Sequence, residues 1–344
     1  MNGDDWALWE SIGVFVLAGA AILVFGILMT RVAAELARRT GLGEALLGAL
    51  FIGVSTSLPE IVASTSAAYN GHPDLAASNA LGSVAGQTAF LALADMSYRK
   101  ANLEYSAASA ANLMLAVFVI ILLSIVLLAF ALPEAAWWRV HPASVLLVAA
   151  YLYGIRLVSR VQDRPMWFPV HGGEERGAGA GSAASGDAGV RRLWLRFAYS
   201  AASTAAAGWL LAHSAVEISA YTGLSETVVG GLFTGVTGSL PELVSALSAV
   251  RIGALTLAVG GILGSNAFDT VIVGLSDLAY VEGPIFAGMG GDLVFLVALG
   301  ILLTSIQLMG MVYREKHGVG NIGMESALVL GLYAGAFGLM FAIG

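Results

Sequence analysis

Apolar runs long enough to cross a bilayer recur ten times along this chain, at roughly 11–30, 44–69, 74–95, 108–130, 143–160, 195–220, 226–250, 254–278, 292–312 and 323–343. A helix rises about 1.5 Å per residue, so about 20 residues span the roughly 30 Å of hydrocarbon. Water does not hydrate the backbone at that depth, and a helix satisfies its own N–H and C=O groups. The expectation is an all-α polytopic membrane protein with ten transmembrane helices. Charged residues make up only 11% of the chain and hydrophobic ones 58%, whereas a soluble domain carries about 25% charge. The first run follows the acidic segment MNGDDWALWE and exceeds a signal-peptide core, so it reads as a retained span. With no Cys, the chain has neither a disulfide framework nor a thiolate metal site.

Loop charge orients the spans, because Lys and Arg accumulate on the cytoplasmic side. Arg31, Arg38 and Arg39, then Arg99 and Lys100, the Arg156 to Arg196 region, Arg251, and Arg314 with Lys316 all fall on one face of a ten-span arrangement. Of the 16 basic residues only Arg139 falls on the other. A multi-pass protein of the cell (cytoplasmic) membrane with both termini external is expected.

The chain also repeats itself. Residues 40–88 laid on residues 222–270, an offset of 182, give 24 identities in 49 positions without a gap. TGLGEALLGALFIGVSTSLPE meets TGLSETVVGGLFTGVTGSLPE, and LGSVAGQT meets LGSNAFDT. Each copy belongs to a set of five spans, so the second enters the membrane from the opposite side and the halves form inverted-topology repeats, an arrangement that points to a transport site near the midplane. The organisation is a first five-helix repeat over 1–160, a flexible cytoplasmic linker over 161–192, rich in Gly, Ala and Ser, and a second repeat over 193–344.

Within each copy a proline and a glutamate sit side by side in the middle of an apolar run. Pro59 cannot donate to the Ser55 carbonyl, nor Pro241 to that of Thr237, so each helix opens halfway across the bilayer. An opened backbone is tolerated only where protein or water encloses it. Glu60 and Glu242 lie at that depth, where an ionisable side chain marks function. Thr56 and Ser57 precede Glu60 by four and three residues and share its helix face, as Ser239 does for Glu242. On the partner helices Ser83 and Gln87 are four apart, and so are Ser265 and Asp269. Gly82 and Gly264 are expected to allow close helix approach. The assembled donors are all oxygen, a set suited to hard ions such as Ca²⁺ and Na⁺ and unsuited to zinc or copper.

The paired SLPE segments, each followed by GS-x-x-x-[Gln/Asp], resemble the two α-repeats of the cation/calcium antiporter superfamily, and most resemble its prokaryotic sodium/calcium exchangers. The resemblance covers about 49 residues in each half. It implies that Glu60 and Glu242 bridge the transported ions, that Gly53, Thr56, Ser57, Ser83, Gly235, Ser239 and Ser265 contribute to flanking sodium sites, and that Gln87 and Asp269 face the site. It also implies alternating access, with spans 1 and 6 sliding across the ligand-bearing helices. The sequence departs from the family pattern at Val84, Gln87 and Gly238, where Asn, Asn and a hydroxyl residue are usual.

The function expected is sodium/calcium antiport, with proton-coupled calcium antiport as the alternative. A calcium-permeable channel is disfavoured by the duplicated ligand cage, and an enzyme by the lack of a nucleophile with its base. No cofactor, nucleic acid or protein partner is implied; the partners are the lipid bilayer and the calcium and sodium ions themselves. Other polar residues have local explanations. Asp95 and Asp277 lie near span ends where headgroup water can solvate them, His213 and Glu217 are four apart for a local hydrogen bond, and Glu44 and Glu226 suit helix N-termini.

Overall fold

The computed structural model describes residues 7–40, 53–98, 101–163, 187–316, 318 and 322–343. These form α1 (Leu8–Thr40), α2 (Leu58–Tyr69), α3 (Pro73–Ser97), α4 (Leu103–Ala107), α5 (Ala110–Ala129), α6 (Pro142–Asp163) and α7 (Asp187–Thr222). After these come α8 (Glu226–Val228), a π-helical turn (Val229–Thr234), α9 (Gly235–Gly238), α10 (Leu240–Arg251), α11 (Leu255–Ala279), α12 (Ile285–Gly288), α13 (Asp292–Tyr313) and α14 (Met324–Ile343). Among the described residues there is no strand beyond an isolated bridge between Trp137 and Val140.

Among the described residues six helices, α1, α5, α6, α11, α13 and α14, are long and apolar enough to cross a membrane. The shortfall from ten has a local cause in α2 and α10. Each has 12 residues, because Pro59 and Pro241 sit in the first turn and break continuity with the helical residues before them. α3 spans 25 residues but is rich in Ala, Gly, Ser and Asn and is buried almost throughout. A helix covered by protein on every side has no need of an apolar exterior. The first part of the 44–69 run, with Glu44, lies outside the described residues. So does 164–186; α6 runs to Asp163 and α7 starts at Asp187, so the helices take up both ends of the 161–192 segment.

α3 and α11 form the centre and pack on each other, with α5, α13 and α14 around them, while α1 runs along α7. Two turns carry the repeat into the fold. Gly71 and Gly253, separated by the same 182 residues, have φ of +84° and +82° after α2 and α10, a left-handed conformation that glycine adopts without a Cβ penalty. The apolar core joins Val84, Leu122, Ile272 and Leu296 from four helices.

The prolines are themselves contact points. A Cβ on Gly26 of α1 would lie 2.7 Å from Pro241 Cγ, and one on Gly208 of α7 would lie 2.7 Å from the Pro59 carbonyl oxygen. Gly26 and Gly208 are again 182 apart, so each long outer helix crosses the opposite half's Pro-Glu segment at a glycine.

Candidate ion site

The two breaks place their glutamates together. At Ser57 and Ser239 the backbone leaves helical geometry, with ψ of 15° and 8°, and α2 and α10 restart one residue later with Glu60 and Glu242 in their first turns. The Ser239 N–H bonds the Gly235 carbonyl at 3.2 Å. α3 lies against the segment 229–238 with almost no side chain between. A Cβ at Gly82 would fall 2.2 Å from the Gly231 oxygen, and one at Gly235 would fall 2.8 Å from Ser83 N. At Gly264 an added Cβ meets none of the described residues within 4 Å, and residue 49, the offset counterpart of Gly231, lies outside the described residues.

That apposition lets α3 reach across to the second half. Ser83 Oγ donates to the Asn79 and Gly235 carbonyls at 2.8 and 3.2 Å. Gln87 Nε2 donates to Asp269 Oδ2 at 2.7 Å and to Ser239 Oγ at 3.0 Å. Ser239 Oγ in turn donates to Glu60 Oε1 at 3.1 Å. Asp269, Gln87, Ser239 and Glu60 thus form one hydrogen-bonded chain built from both halves. Glu242 lies beside Glu60 and Asp269.

The four acidic and amide side chains are 0–5% exposed, yet Glu60 Oε2, both Glu242 oxygens, Asp269 Oδ1 and Gln87 Oε1 have no hydrogen-bond donor. No Lys, Arg or His is among their hydrogen-bond partners. Buried acceptors without donors carry a desolvation penalty that a bound cation removes. No three Asp, Glu or His side chains among the described residues suffice by themselves to hold a metal, so a cation here needs hydroxyls and carbonyls as well.

The remaining expected residues divide. Ser57 Oγ is buried on the Asp269 side of the site without a well-directed hydrogen bond. Thr56 Oγ1 is turned back to the Gly53 carbonyl at 2.9 Å. Gly53 lies near the Tyr151 hydroxyl, which is 3.9 Å from its ideal Cβ position. Ser265 is buried on α11, one turn before Asp269. Gly238, where a hydroxyl was expected, leaves room for Glu60: an added Cβ would sit 3.1 Å from Glu60 Oε1. Val84 packs into the apolar core, and its counterpart Asn266 donates to Thr88 Oγ1 at 3.1 Å.

Sequence reasoning missed Asn79, whose Nδ2 bonds Ser64 Oγ at 2.9 Å and the Glu60 carbonyl at 3.4 Å. It also missed Tyr151 and Tyr333; the Tyr333 hydroxyl is buried and unpartnered, 3.6 Å from an ideal Cβ on Gly86. The tyrosines are 182 apart, so extending the repeat offset past residue 88 would have found them.

One other expectation is corrected. Asp95 and Asp277 are 0% and 1% exposed and bond backbone N–H groups, not water. Glu226 lies in the first turn of α8, as expected, behind a cap supplied by Ser225, and also bonds His72 Nδ1 at 2.6 Å. The His213 ring stacks on Trp209, with 5.7 Å between centroids.

The family model described as sodium/calcium exchanger protein matches residues 10–159 and 192–342. CaxA of Alkalimonas amylolytica is 27% identical over 317 residues, covering 86% of this chain and 90% of its own. Among solved structures, that of the H⁺/Ca²⁺ exchanger CAX superposes with a TM-score of 0.68 at 13% identity, over 97% of this chain and 85% of its own. The sodium-calcium exchanger NCX_Mj, in 100 mM Na⁺ and 10 mM Sr²⁺, gives 0.60 at 18% identity over 96% and 99%. At these identities the two structures establish a shared membrane-helical fold.

Proposed function

Because the chain belongs to the sodium/calcium exchanger protein family, we propose that it is a secondary antiporter that exchanges calcium for sodium by alternating access. The observation that carries this reading is the set of buried, donorless oxygens on Glu60, Glu242, Asp269 and Gln87, drawn from both halves of the chain. Ca²⁺ takes six to eight oxygen ligands at about 2.3–2.6 Å, and these oxygens together with Ser57, Ser83, Ser239, Ser265 and the carbonyls of Gly53 and Gly235 supply that chemistry. Thr56 joins the set if its hydroxyl leaves Gly53. Calcium and sodium are cargo.

Proton coupling is the second reading. It is favoured by Gly238, which removes a hydroxyl from the sodium-ligating set, and by three carboxylates that lack a basic counter-charge. Calcium uptake into proteoliposomes under separately imposed sodium and proton gradients, at clamped potential, distinguishes the two. Uptake driven by outward sodium alone supports the first reading; uptake that ignores sodium and follows the proton gradient replaces it with the second.

The topology belongs to the same proposal: ten spans in two inverted five-helix repeats, in the cell membrane, with both termini external and the 161–192 segment cytoplasmic. The support is the loop charge and the recurrence of contacts at the 182-residue offset. The native chain has no Cys, so a single cysteine replacing Gly179 tests it. Labelling by an impermeant reagent outside intact cells would overturn the orientation.

A further inference from the structure

The repeat offset supplies an internal control at the two ends of the bundle. At one end Asp277 accepts from Ile285 N (2.7 Å), His141 N (2.7 Å) and Ser144 Oγ (2.6 Å). At the other, Asp95 accepts from Leu103 N (2.7 Å) and Gly323 N (3.0 Å), with Ser326 beside it. Leu103, Gly323 and Ser326 are the 182-residue counterparts of Ile285, His141 and Ser144. Each aspartate therefore staples the end of its helix to the start of the opposite half's last span.

The ends differ at two counterpart positions. Where the Asp277 end carries Phe286 and Ala143, the Asp95 end carries Glu104 on α4 and Glu325 in the first turn of α14. Phe286 fills its place by packing on His141 and Phe130, with centroids 4.8 and 5.6 Å apart. Glu104 and Glu325 are 2% and 1% exposed. The two carboxyls are neighbours, Ser326 Oγ lies 3.4 Å from Glu104 Oε1, and Glu104 Oε2 and Glu325 Oε1 have no donor. The space for Glu325 is cut by glycines: a Cβ at Gly310 would sit 2.5 Å from its Cγ, and one at Gly323 would sit 2.6 Å from its Oε1.

Among the described residues no cation neutralises the pair. Of the elements packed on α4, α3 presents Asp95 and α13 ends in Arg314, Glu315 and Lys316. Arg314 and Lys316 are exposed, Arg314 lies over the Tyr105 ring at 5.8 Å, and Glu315 Oε2 accepts from Met324 N at 3.3 Å. α11 presents no titratable group there; its Thr256 carbonyl accepts from Asn112. Nor do three acids among the described residues come together to hold a metal. Two neighbouring buried carboxyls with unpartnered oxygens are relieved of like-charge repulsion and desolvation by a shared proton.

We propose that Glu104 and Glu325 share one proton, forming a carboxyl pair that fastens the start of α14 to the α4 link, and that alkalinisation removes the proton and loosens this fastening. The pair stands apart from the ion site and does not depend on which ion is exchanged; the orientation proposed above would place it on the cytoplasmic side. Burial pushes the Glu104 carboxyl well above the ordinary carboxylate range, and the Asp95 and Glu325 charges push the same way. A group raised on folding stabilises the fold fully below its unfolded value, and that contribution is lost as pH rises through the folded value.

The test uses the full-length purified protein. In pH-difference infrared spectra a protonated-carboxyl stretch should be lost on going from about pH 5 to about pH 9, and Glu104→Gln and Glu325→Gln should each abolish that component, because one proton serves both. The melting temperature of the wild type should fall over the same interval, and Glu104→Gln should flatten the fall. Glu325→Ala, which puts at this end what the other half already has, should flatten it too and serves if the glutamine variants fold poorly. An unchanged infrared component and unchanged pH slopes in the variants would overturn the pair. So would calcium that raises the alkaline melting temperature of Glu60→Gln/Glu242→Gln protein but not of the same protein carrying Glu104→Gln, since that result would make the ligand a divalent cation.

Discussion

Replacing Gly82 with alanine puts a methyl group where the structure has no space for it. The new Cβ would lie 2.2 Å from the Gly231 oxygen, 2.3 Å from its Cα and 2.5 Å from its carbonyl carbon. All three are backbone atoms, so no rotamer change relieves the clash. Reaching the 3.4 Å of ordinary contact requires α3 and the π-helical turn to separate by about 1 Å, an overpacking strain of about 1–3 kcal/mol. The same shift would stretch the Ser83–Gly235 and Gln87–Ser239 hydrogen bonds, now 3.2 and 3.0 Å, to roughly 4 Å, past hydrogen-bonding distance. Gly82→Ala should therefore lower the melting temperature in detergent by on the order of 5 °C and weaken its dependence on calcium. Gly264→Ala is the comparison: among the described residues nothing lies within 4 Å of the added carbon, so the gain in helix propensity, about 1 kcal/mol at most, should leave the protein as stable or slightly more so. Gly82→Ala protein with wild-type melting and calcium response would refute the backbone apposition on which the site depends.

Three further outcomes follow from contacts around the site. Gly208→Ala meets the Pro59 backbone, whereas Gly26→Ala meets only a proline ring carbon; thermal unfolding should show the former costing about 1–3 kcal/mol and the latter less. The His72–Glu226 hydrogen bond raises the His72 pKa despite partial burial, so its stabilisation is complete below about pH 6.5 and is lost as pH climbs through the raised value. His72→Gln should thus lower stability by about 1 kcal/mol at pH 5.5 and by less at pH 9, measured by paired denaturation curves. Asp269→Asn keeps the hydrogen bond to Gln87 within geometric reach but removes a negative charge, and calcium-dependent stabilisation should fall roughly tenfold in apparent affinity, a loss of about 1.4 kcal/mol.

The membrane-helical fold and the convergence of Glu60, Glu242, Gln87 and Asp269 were legible because each rests on a local rule. Apolar length dictates a span, proline dictates a break, and the 182-residue offset brings the same chemistry from both halves. Gly82 marks the limit of that reasoning, since its sequence neighbours do not say which backbone it faces, and that backbone is the distant Gly231. Burial of Asp95 and Asp277 was equally illegible, because the groups that cover them, Gly323 and His141, lie more than 130 residues away in sequence for Asp277 and more than 220 for Asp95. The span count faltered where a helix is wrapped by protein, as α3 is. Its Ala-, Gly- and Ser-rich surface serves helix packing and no longer reports contact with lipid.

The central claim is that Glu60 and Glu242 bind the transported cation directly, and isosteric neutralisation tests it with the least disturbance. Glu60→Gln and Glu242→Gln should each insert and melt like the wild type, or more stably, since each removes a buried carboxylate whose oxygens lack donors. Calcium binding by the purified variants should weaken roughly 10- to 100-fold, the loss of a charge-assisted ligand, and calcium uptake into proteoliposomes should disappear. Wild-type calcium affinity and uptake by either correctly inserted variant would contradict the account.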